Sequence, residues 1–408
     1  MTSIIILGAG ECGGRAALAL RERGFDGAIT LVGAEDHAPY ERPPLSKDGI
    51  AAGAEPRFIA SPADYAAQNI DLRLGVSVTA IDRVSRMVDL SDGVRLPYTK
   101  LLLATGARPR PLPAFESGAP RLLSLRTHAD AQRIRRHLSP ESRIAILGGG
   151  FIGLELAAAA RSLGASVILL EGMPRILSRG VPADVAEVVA SRHAAEGVEI
   201  ICNARVDELI AADDAVRIAL SDGRVINANI LVVGIGSLPN VELAADAGLL
   251  IDNGIAVDRR LRTSDPDIFA AGDCCSFPLY VYGDRRVRLE SWRSAQEQAL
   301  IAAANLLGAE EVVATVPWFW SDQYDLTLQV AGLSAGSRRS VRRDLGNGAF
   351  IIFDLDEAGR LLSASGIGPG NAVAREIRLA EMLIAAGKSL DPEALASPNI
   401  RLKALLAA

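Results

Sequence analysis

Two α/β units built on parallel strands, followed by a smaller C-terminal α+β domain, are the fold class that this sequence predicts on three observations. An apolar strand, a glycine-rich turn and a helix follow one another over residues 4–23. The same succession returns over residues 143–163. From Pro317 the chain turns aromatic and then runs through strand-like stretches into two helices. An internal repeat of this kind sets the architecture before any single motif is weighed.

The first unit begins with Ile4, Ile5, Ile6 and Leu7. Four aliphatic residues in a row predict a strand buried on both faces, as in a parallel sheet. Gly8 allows a tight turn, and Gly10 offers no side chain to hold a pyrophosphate off the backbone. Gly13 lets the next helix, Gly14–Arg23, pack against the strand. That helix would turn its unpaired N–H groups and positive dipole end to phosphates. A strand at Ala28–Val32 follows, and Glu35 lies 22 residues beyond Gly13, where an acid accepts from ribose hydroxyls. This is a Rossmann-like dinucleotide unit.

After Glu35 the run Pro39–Lys47 is too rich in proline for helix or sheet. A rigid loop suits a wall against a planar ring. Arg42 is placed to meet a pyrophosphate, and Lys47 to point a positive charge at the ring. Asp71–Asp89 reads as two short strands, with Val78 placed for backbone bonds to an adenine edge. Leu101–Leu103 is a strand running into Ala104, Thr105 and Gly106, whose small side chains admit a cofactor. The prolines at 109, 111 and 113 mark the first domain crossing.

The second unit repeats the pattern. Arg143–Leu147 is a strand, Gly148, Gly150 and Gly153 repeat the spacing, and Leu154–Leu163 is an alanine-rich helix. The strand Ser166–Leu170 ends at Glu171, 18 residues past Gly153. An acid there accepts from an adenosine 2′-hydroxyl, whereas a 2′-phosphate calls for arginine. NADH is therefore expected over NADPH, with Arg175 and Arg179 keeping the alternative open. Two more strands lead to Ile230–Gly236, and Pro239 marks the return crossing. Asp267–Asp273 is a short apolar strand, a glycine and an acid suited to a ribityl hydroxyl; a helix-capping aspartate would look similar. Arg288–Leu307 runs on as an amphipathic helix holding Gln296 and Gln298. Strands at Leu326–Val330 and Ala349–Phe353 and helices at Ala372–Ala386 and Pro392–Ala396 complete the last domain. There Trp320, beside Ser321 and Asp322, reads as positioned. The expected partition is 1–110 and 240–316 for one dinucleotide domain, 111–239 for the other and 317–408 for the α+β domain.

Composition narrows the function. The chain has 408 residues, 49% of them hydrophobic and 23% charged, and a net charge of −6. An acidic balance argues against a nucleic-acid partner. No apolar run reaches the roughly 18 residues needed to span a bilayer. The N-terminus passes directly into a strand without a signal peptide, so a cytoplasmic location is expected. Cys12, Cys202, Cys274 and Cys275 have neither disulfide-framework nor metal spacing. No CxxC or CxxxxC pair is present to relay electrons through sulfur, and bridging the neighbours Cys274 and Cys275 would be strained.

Taken together, GAGECGG, PYERPPLSK, ATGARPR, LRTHADA, GGGFIGLELA, VVGIGSLPN, DIFAAGDC and PWFWSDQYD make the whole chain resemble the ferredoxin reductase family of glutathione reductase-like flavoproteins. RLESWRSAQEQA with PWFWSDQYD looks most like the reductase components of bacterial aromatic-ring dioxygenases. Putidaredoxin reductase-like enzymes of P450 systems come next. The resemblance implies FAD in the first unit, with contacts from Gly8, Gly10, Glu11, Cys12, Gly13, Glu35, Arg42, Lys47, Val78, Ala104, Thr105, Gly106, Arg126, Asp273 and Trp292. It implies NADH in the second, with contacts from Gly148, Gly150, Phe151, Ile152, Gly153, Glu155, Glu171 and Gly236. Cys12 stands where the family often has alanine. Trp292 stands where the P450 branch often has valine, which favours the dioxygenase branch.

The reaction so implied is hydride transfer from nicotinamide C4 to flavin N5, with the protein orienting cofactors that carry the chemistry. Lys47 and Glu155 would pair near N5, and Trp320 would cover the nicotinamide face or line the exit for electrons. Without a thiol pair the electrons would leave singly to an acidic [2Fe-2S] ferredoxin feeding a terminal oxygenase. Two arginine clusters suit its docking: Arg285, Arg286, Arg288 and Arg293, or Arg338, Arg339, Arg342 and Arg343. A pyridine nucleotide oxidase, an apoptosis-inducing-factor-like protein and a redox-sensing binding protein are the other readings.

Overall fold

A computed structural model describes residues 2–112 and 119–407; Pro113, one of the crossing prolines, lies outside them. The chain divides into two compact units. The first holds Met1–Arg42, Pro56–Arg108 and Leu238–Thr315, and the second holds Pro43–Glu55, Pro109–Ser237 and Val316–Ala408.

In the first unit, the buried strand Ser3–Leu7 is the centre of a five-stranded parallel sheet. Its neighbours are Ala28–Val32 on one side and Lys100–Leu103 on the other, with Leu7 level with Val32 and Leu103. Ile70–Arg73 and Ile268–Ala270 form the edges. The helix after the glycine turn runs Glu11–Glu22, starting three residues before the expected Gly14 because Gly10 itself is the N-cap. It packs against the helix Trp292–Leu306. Between Ile70 and Leu90 the chain makes three strands rather than two: Ile70–Arg73, Val78–Asp82 and Met87–Leu90. The last two pair as a hairpin joined by Arg95–Pro97, while the first belongs to the parallel sheet.

The second unit repeats the design. Val198–Ile201, Ser166–Leu170, Arg143–Leu147, Ile230–Val233 and Leu122–Leu123 form a parallel sheet in that order. The helix runs Phe151–Ser162, again from a glycine N-cap. Four strands, not two, lie between Glu171 and Ile230, because Val206–Ala211, Val216–Leu220 and Val225–Ala228 form a small antiparallel sheet. After residue 316 a five-stranded antiparallel sheet forms in the order Trp318–Gln323, Leu326–Gly332, Leu361–Pro369, Ala349–Leu355, Arg339–Gly346. The helix Ala374–Ala386 packs on it. Leu328, Val330, Phe350, Ile352 and Ile367 of this sheet share one apolar core with Ile144, Ile146, Leu154 and Val185. The proline-rich loop also differs from expectation: Pro43–Ser46 and Asp48–Ile50 make short 3-10 turns within the second unit, anchored by the buried Ile50.

Both glycine turns depend on backbone approaching backbone. Gly8 has φ +112°, and a Cβ on it would stand 2.2 Å from the Ala104 carbonyl oxygen. A Cβ on Gly13 would stand 1.9 Å from the Gly8 oxygen. The second turn matches: Gly148 has φ +118° and 2.3 Å to the Gly234 oxygen, and Gly153 has 2.2 Å to the Gly148 oxygen. Gly10 and Gly150 are different, since a Cβ on Gly10 meets only Arg42 Nη2 at 4.0 Å and one on Gly150 meets nothing within 4 Å. No helix among the described residues is long and apolar enough to cross a membrane.

Gly13→Ala should therefore lower stability by at least about 3 kcal/mol, because the clash is with backbone that cannot move aside. Gly150→Ala should change it by less than about 0.5 kcal/mol. Thermal unfolding midpoints of the two variants check the contrast; equal midpoints would contradict it.

Candidate functional site

The first helix of each α/β unit begins without a side-chain cap on its N-cap glycine. The N–H groups of a first turn have no intrahelical partners, and the helix dipole adds partial positive charge there. Each turn is thus a cradle for an anion such as a phosphate, with open space where a side chain would intrude.

In the first unit, Arg42 reaches across this turn. Its Nη2 donates to Glu35 Oε1 at 2.7 Å, and Tyr40 Oη donates to Glu35 Oε2 at 2.6 Å. Glu35 and Arg42, expected to hold a ribose and a pyrophosphate, are thus held by one another beside Gly10. Glu11 is buried; its Oε1 accepts from Arg15 Nε (3.0 Å) and Gln296 Nε2 (2.7 Å), while its Oε2 has no partner among the described residues. Cys12 packs against Gly272, and Gln298 Oε1 accepts the Gly272 N–H at 2.8 Å, which fixes the backbone next to Asp273. Thr105 Oγ1 donates to the Asn240 carbonyl (2.7 Å), and Asn240 Nδ2 donates to the Thr105 carbonyl (2.8 Å). That reciprocal pair holds Ala104–Thr105–Gly106 beside Gly8. Val78 sits at the start of its strand and Trp292 in the first turn of its helix.

Lys47 and Arg126, expected to touch the flavin, belong to the second unit. Arg126 precedes a helix capped by Thr127 and Asp130, and its N–H donates to Asp130 Oδ2 at 3.1 Å. Glu171 receives the Gly149 N–H on Oε2 (2.7 Å) and the Met173 N–H on Oε1 (2.8 Å). These bonds aim its carboxylate at the second glycine turn and leave a lone pair on each oxygen. Arg175 is committed elsewhere, donating to the carbonyls of Ile176 (3.2 Å) and Val181 (2.9 Å). Arg179 is exposed. Phe151 lies edge-on to Phe319 at 4.9 Å, Ile152 is exposed, and the Gly236 carbonyl accepts the Arg110 N–H at 2.9 Å.

The densest polar group surrounds Glu155, one turn into the helix Phe151–Ser162 and only 8% exposed. Ser46 Oγ donates to its Oε2 and Ser321 Oγ to its Oε1, both at 2.6 Å. Lys47 Nζ stands 3.7 Å from Glu155 Oε1 and 3.2 Å from Asp322 Oδ2. It also lies over the Trp320 ring, 5.2 Å from its centre. Trp320 Nε1 donates to Asp322 Oδ2 at 2.9 Å, and Trp318 stacks on Trp320 at 5.4 Å. Burial pushes the Glu155 carboxyl up from its ordinary range, while Lys47 and the two serine hydroxyls pull it down. Ser46 and Asp322 were hinted at only by standing next to Lys47 and Ser321. Gln323 and Asn240 carried no signal of their own.

The arginine clusters are less available than their charge suggests. Arg343 is 3% exposed and donates to the carbonyls of Leu395 (3.2 Å) and Ile400 (2.7 Å), so it cannot serve a docking partner. Arg342 is exposed but bonded to Asp344 at 2.7 Å. Arg286 donates to the Ser276 carbonyl at 2.6 Å, Arg288 pairs with Glu290, and Arg293 bonds Glu297 at 2.8 Å. Arg285, Arg338 and Arg339 are exposed. No group of three or more histidine, cysteine, aspartate or glutamate side chains among the described residues is placed to hold a metal ion.

Two parallel-sheet units, each with an uncapped helix after a glycine turn and an acid past the second strand, define an oxidoreductase that works on dinucleotides. Residues 2–299 match the pyridine nucleotide-disulphide oxidoreductase family and residues 318–406 match the reductase C-terminal family. The chain belongs to the pyridine nucleotide-disulphide oxidoreductase family, here with that C-terminal domain appended. It is 44% identical to the ferredoxin–NAD(+) reductase component of the anthranilate 1,2-dioxygenase system of Burkholderia cepacia, over 98% of each chain. It is 39% identical to putidaredoxin reductase of Pseudomonas putida, over 100% of this chain and 97% of that one. Putidaredoxin reductase in its covalent complex with putidaredoxin superposes with a TM-score of 0.94 at 38% identity, covering 100% of this chain and 98% of that one.

Lys47→Met should raise the Glu155 protonation midpoint by about one to three pH units, the size of effect an adjacent opposite charge has on a carboxylate. A pH titration of the carboxyl infrared band that Glu155→Gln abolishes reads it. An unmoved midpoint would mean that the pair carries no interaction.

Proposed function

We propose that this protein is an NADH-dependent ferredoxin reductase, taking a hydride from NADH onto FAD and passing electrons singly to a [2Fe-2S] ferredoxin that feeds a terminal oxygenase. The observation that carries the choice of acceptor is the state of the cysteines. All four are free, and Cys12, Cys274 and Cys275 are buried. Desolvation pushes each of those three thiols up, away from the thiolate that disulfide chemistry requires. Electrons therefore have no sulfur relay, and an external one-electron acceptor fits.

The residues fit FAD in the first unit. Gly10 and the uncapped helix supply a phosphate cradle with Arg42 over it, Glu35 supplies the ribose acceptor, and Asp273 follows a backbone held by Gln298. Gly8, Glu11, Cys12, Gly13, Val78, Ala104, Thr105, Gly106 and Trp292 complete that set. Flavin, when bound, supplies the step from two-electron to one-electron chemistry. Gly148, Gly150, Phe151, Ile152, Gly153, Glu171 and Gly236 form the NADH set. NADH is favoured over NADPH because Glu171 is aimed at the turn while Arg175 is spent on carbonyls. Lys47 and Glu155 hold opposite charges at a fixed place in a water-poor setting, and Trp320 presents a flat face beside them. The domain limits at 110, 239 and 316 and a cytoplasmic setting belong to the same proposal, with neither membrane nor nucleic acid as partner.

The identity of 44% to a dioxygenase component, against 39% to putidaredoxin reductase, supports an aromatic-ring dioxygenase as the terminal enzyme. The alternative is a P450. For ferredoxin docking, Arg285 and Arg286 in one cluster and Arg338, Arg339 and Arg342 in the other are exposed, with Arg342 bonded to Asp344. Complementary charge there would act mainly on encounter rate.

With ferricyanide as acceptor, NADH should be used at least about tenfold better than NADPH, roughly 1.4 kcal/mol of discrimination. Equal or better use of NADPH would remove the Glu171 argument. Oxygen consumption at the full rate without ferredoxin would move the protein to the oxidase reading.

Reversing the charge at Arg338 and Arg339 together should slow ferredoxin-dependent turnover several-fold while leaving ferricyanide reduction unchanged, if that cluster is the docking face. Arg343→Glu should instead abolish both, because it places an acid against two buried carbonyls. Parallel assays of the two variants separate docking from folding, and an Arg343→Glu protein active with ferricyanide would refute the structural role given to Arg343.

A further inference from the structure

Glu155 is the terminus of a hydrogen-bond chain that starts 38 residues later in the sequence, at a histidine with no role so far. Ser321 Oγ donates to Glu155 Oε1 at 2.6 Å, Gln323 Nε2 donates to Ser321 Oγ at 3.0 Å, and His193 Nε2 lies 2.8 Å from Gln323 Oε1. Ser321, Gln323 and His193 are 1%, 3% and 0% exposed. All of these groups belong to the second unit.

The chain has one polarity. The Gln323 amide nitrogen can only donate, so its oxygen faces His193, and His193 must present an N–H from Nε2. Turning the amide over would set its oxygen against Ser321 and draw that hydroxyl away from Glu155. Nδ1 of the same ring lies 3.5 Å from the Tyr324 hydroxyl. The charged groups near the imidazole are Arg192 of its own helix, Ala183–Ala195, and Glu196 that caps that helix, with Arg192 also over the Tyr324 ring; those near Glu155 are Lys47 and Asp322. An amide does not pass a proton onward, so the arrangement orients rather than conducts.

We propose that His193 is a positioning residue: through Gln323 and Ser321 it fixes the Glu155 carboxylate against Lys47. A donor chain that ends on a carboxylate stabilises its ionised form, and polarisation along the chain adds to each bond. The importance of this for hydride transfer rests on the reading under Proposed function; the geometry does not.

The test uses the flavin-loaded enzyme and follows the Glu155 protonation midpoint by infrared titration against Glu155→Gln, beside the pH profile of reduction by NADH. His193→Leu and Gln323→Leu should each raise the midpoint by roughly half a pH unit, because the bond each removes is a neutral one that acts on Glu155 through the Ser321 hydroxyl. The acid limb of the rate profile should move up with it, since Glu155 then loses its charge at higher pH. His193→Gln, which keeps a donor but not an imidazole, should restore the wild-type midpoint. The double variant should shift no further than Gln323→Leu alone, because one chain is cut only once. An unmoved midpoint in Gln323→Leu, additive shifts in the double variant, or failure of His193→Gln to rescue would each overturn the proposal. Should His193→Leu not fold, Gln323→Leu and His193→Gln still decide it. A protein that reduces no ferredoxin would defeat the functional reading and leave this midpoint result standing.

Discussion

The turns that follow Leu7 and Leu147 bring a helix so close to a strand that only glycine fits, and this leaves the helix start with no side-chain cap. Everything near the two cradles answers to that constraint. The donors of the first turn must find acceptors, and neither acid supplies one: Glu171 takes the N–H of Gly149, which precedes the N-cap, and Glu35 takes Arg42 rather than a backbone group. Space is kept at Gly10 and Gly150 while it is filled at Gly13 and Gly153. A turn built only for packing would have no reason to treat its glycines so differently. The parallel strands around each turn then hold the acid at a fixed reach, because Leu7 is level with Val32 and Leu147 with Leu170.

Glu155 makes the opposite bargain in the second unit. Burying a carboxylate costs several kcal/mol, and hydrogen bonds to a charged group return about 1.5–3 kcal/mol each. Two serine hydroxyls at 2.6 Å and Lys47 at 3.7 Å are the compensation, drawn from two stretches of sequence far from Glu155. Such a group is conformationally demanding, since losing any member leaves the charge short of a partner. That accounts for the placement of the loop Pro43–Glu55 with the second unit. Ser46 and Lys47 are needed beside Glu155, Ile50 enters the core there, and Gln132 Nε2 donates to the Ala54 carbonyl at 3.2 Å.

What could be read from the sequence followed the reach of the signal. The glycine turns and their strands were legible because their spacing is local and their physics is backbone geometry. The helix starts were placed three residues late, since the glycines that look like a continuing turn already lie in helical conformation. Within the Arg338–Arg343 cluster, Arg343 departs from expectation, because a count of charge ignores alternation. Along Arg339–Gly346 exposure alternates, Val341 and Arg343 face inward together, and the period-2 pattern contained that answer. His193 was similarly half legible: Val185, Val189 and His193 fall on one helical stripe, which predicts burial. Its partner Gln323 lies 130 residues away, and no local pattern joins the two.

The strand Trp318–Gln323 shows how one period-2 element supports two environments at once. Ser321 and Gln323 are buried and carry the chain to Glu155, while Trp318, Trp320 and Asp322 occupy the alternate positions. On each face, residues two apart interact: Gln323 with Ser321, Trp320 with Asp322, Trp318 with Trp320. Lys47 is tied to both, through Glu155 on the inner side and through Asp322 and the Trp320 ring on the other. A one-residue slip of this strand would exchange the two faces, burying the indoles against Glu155 and exposing Gln323. Its antiparallel register with Leu326–Gly332, Trp320 opposite Gln329 and Ser321 opposite Leu328, is therefore what keeps the carboxylate, the lysine and the aromatic face in their relation.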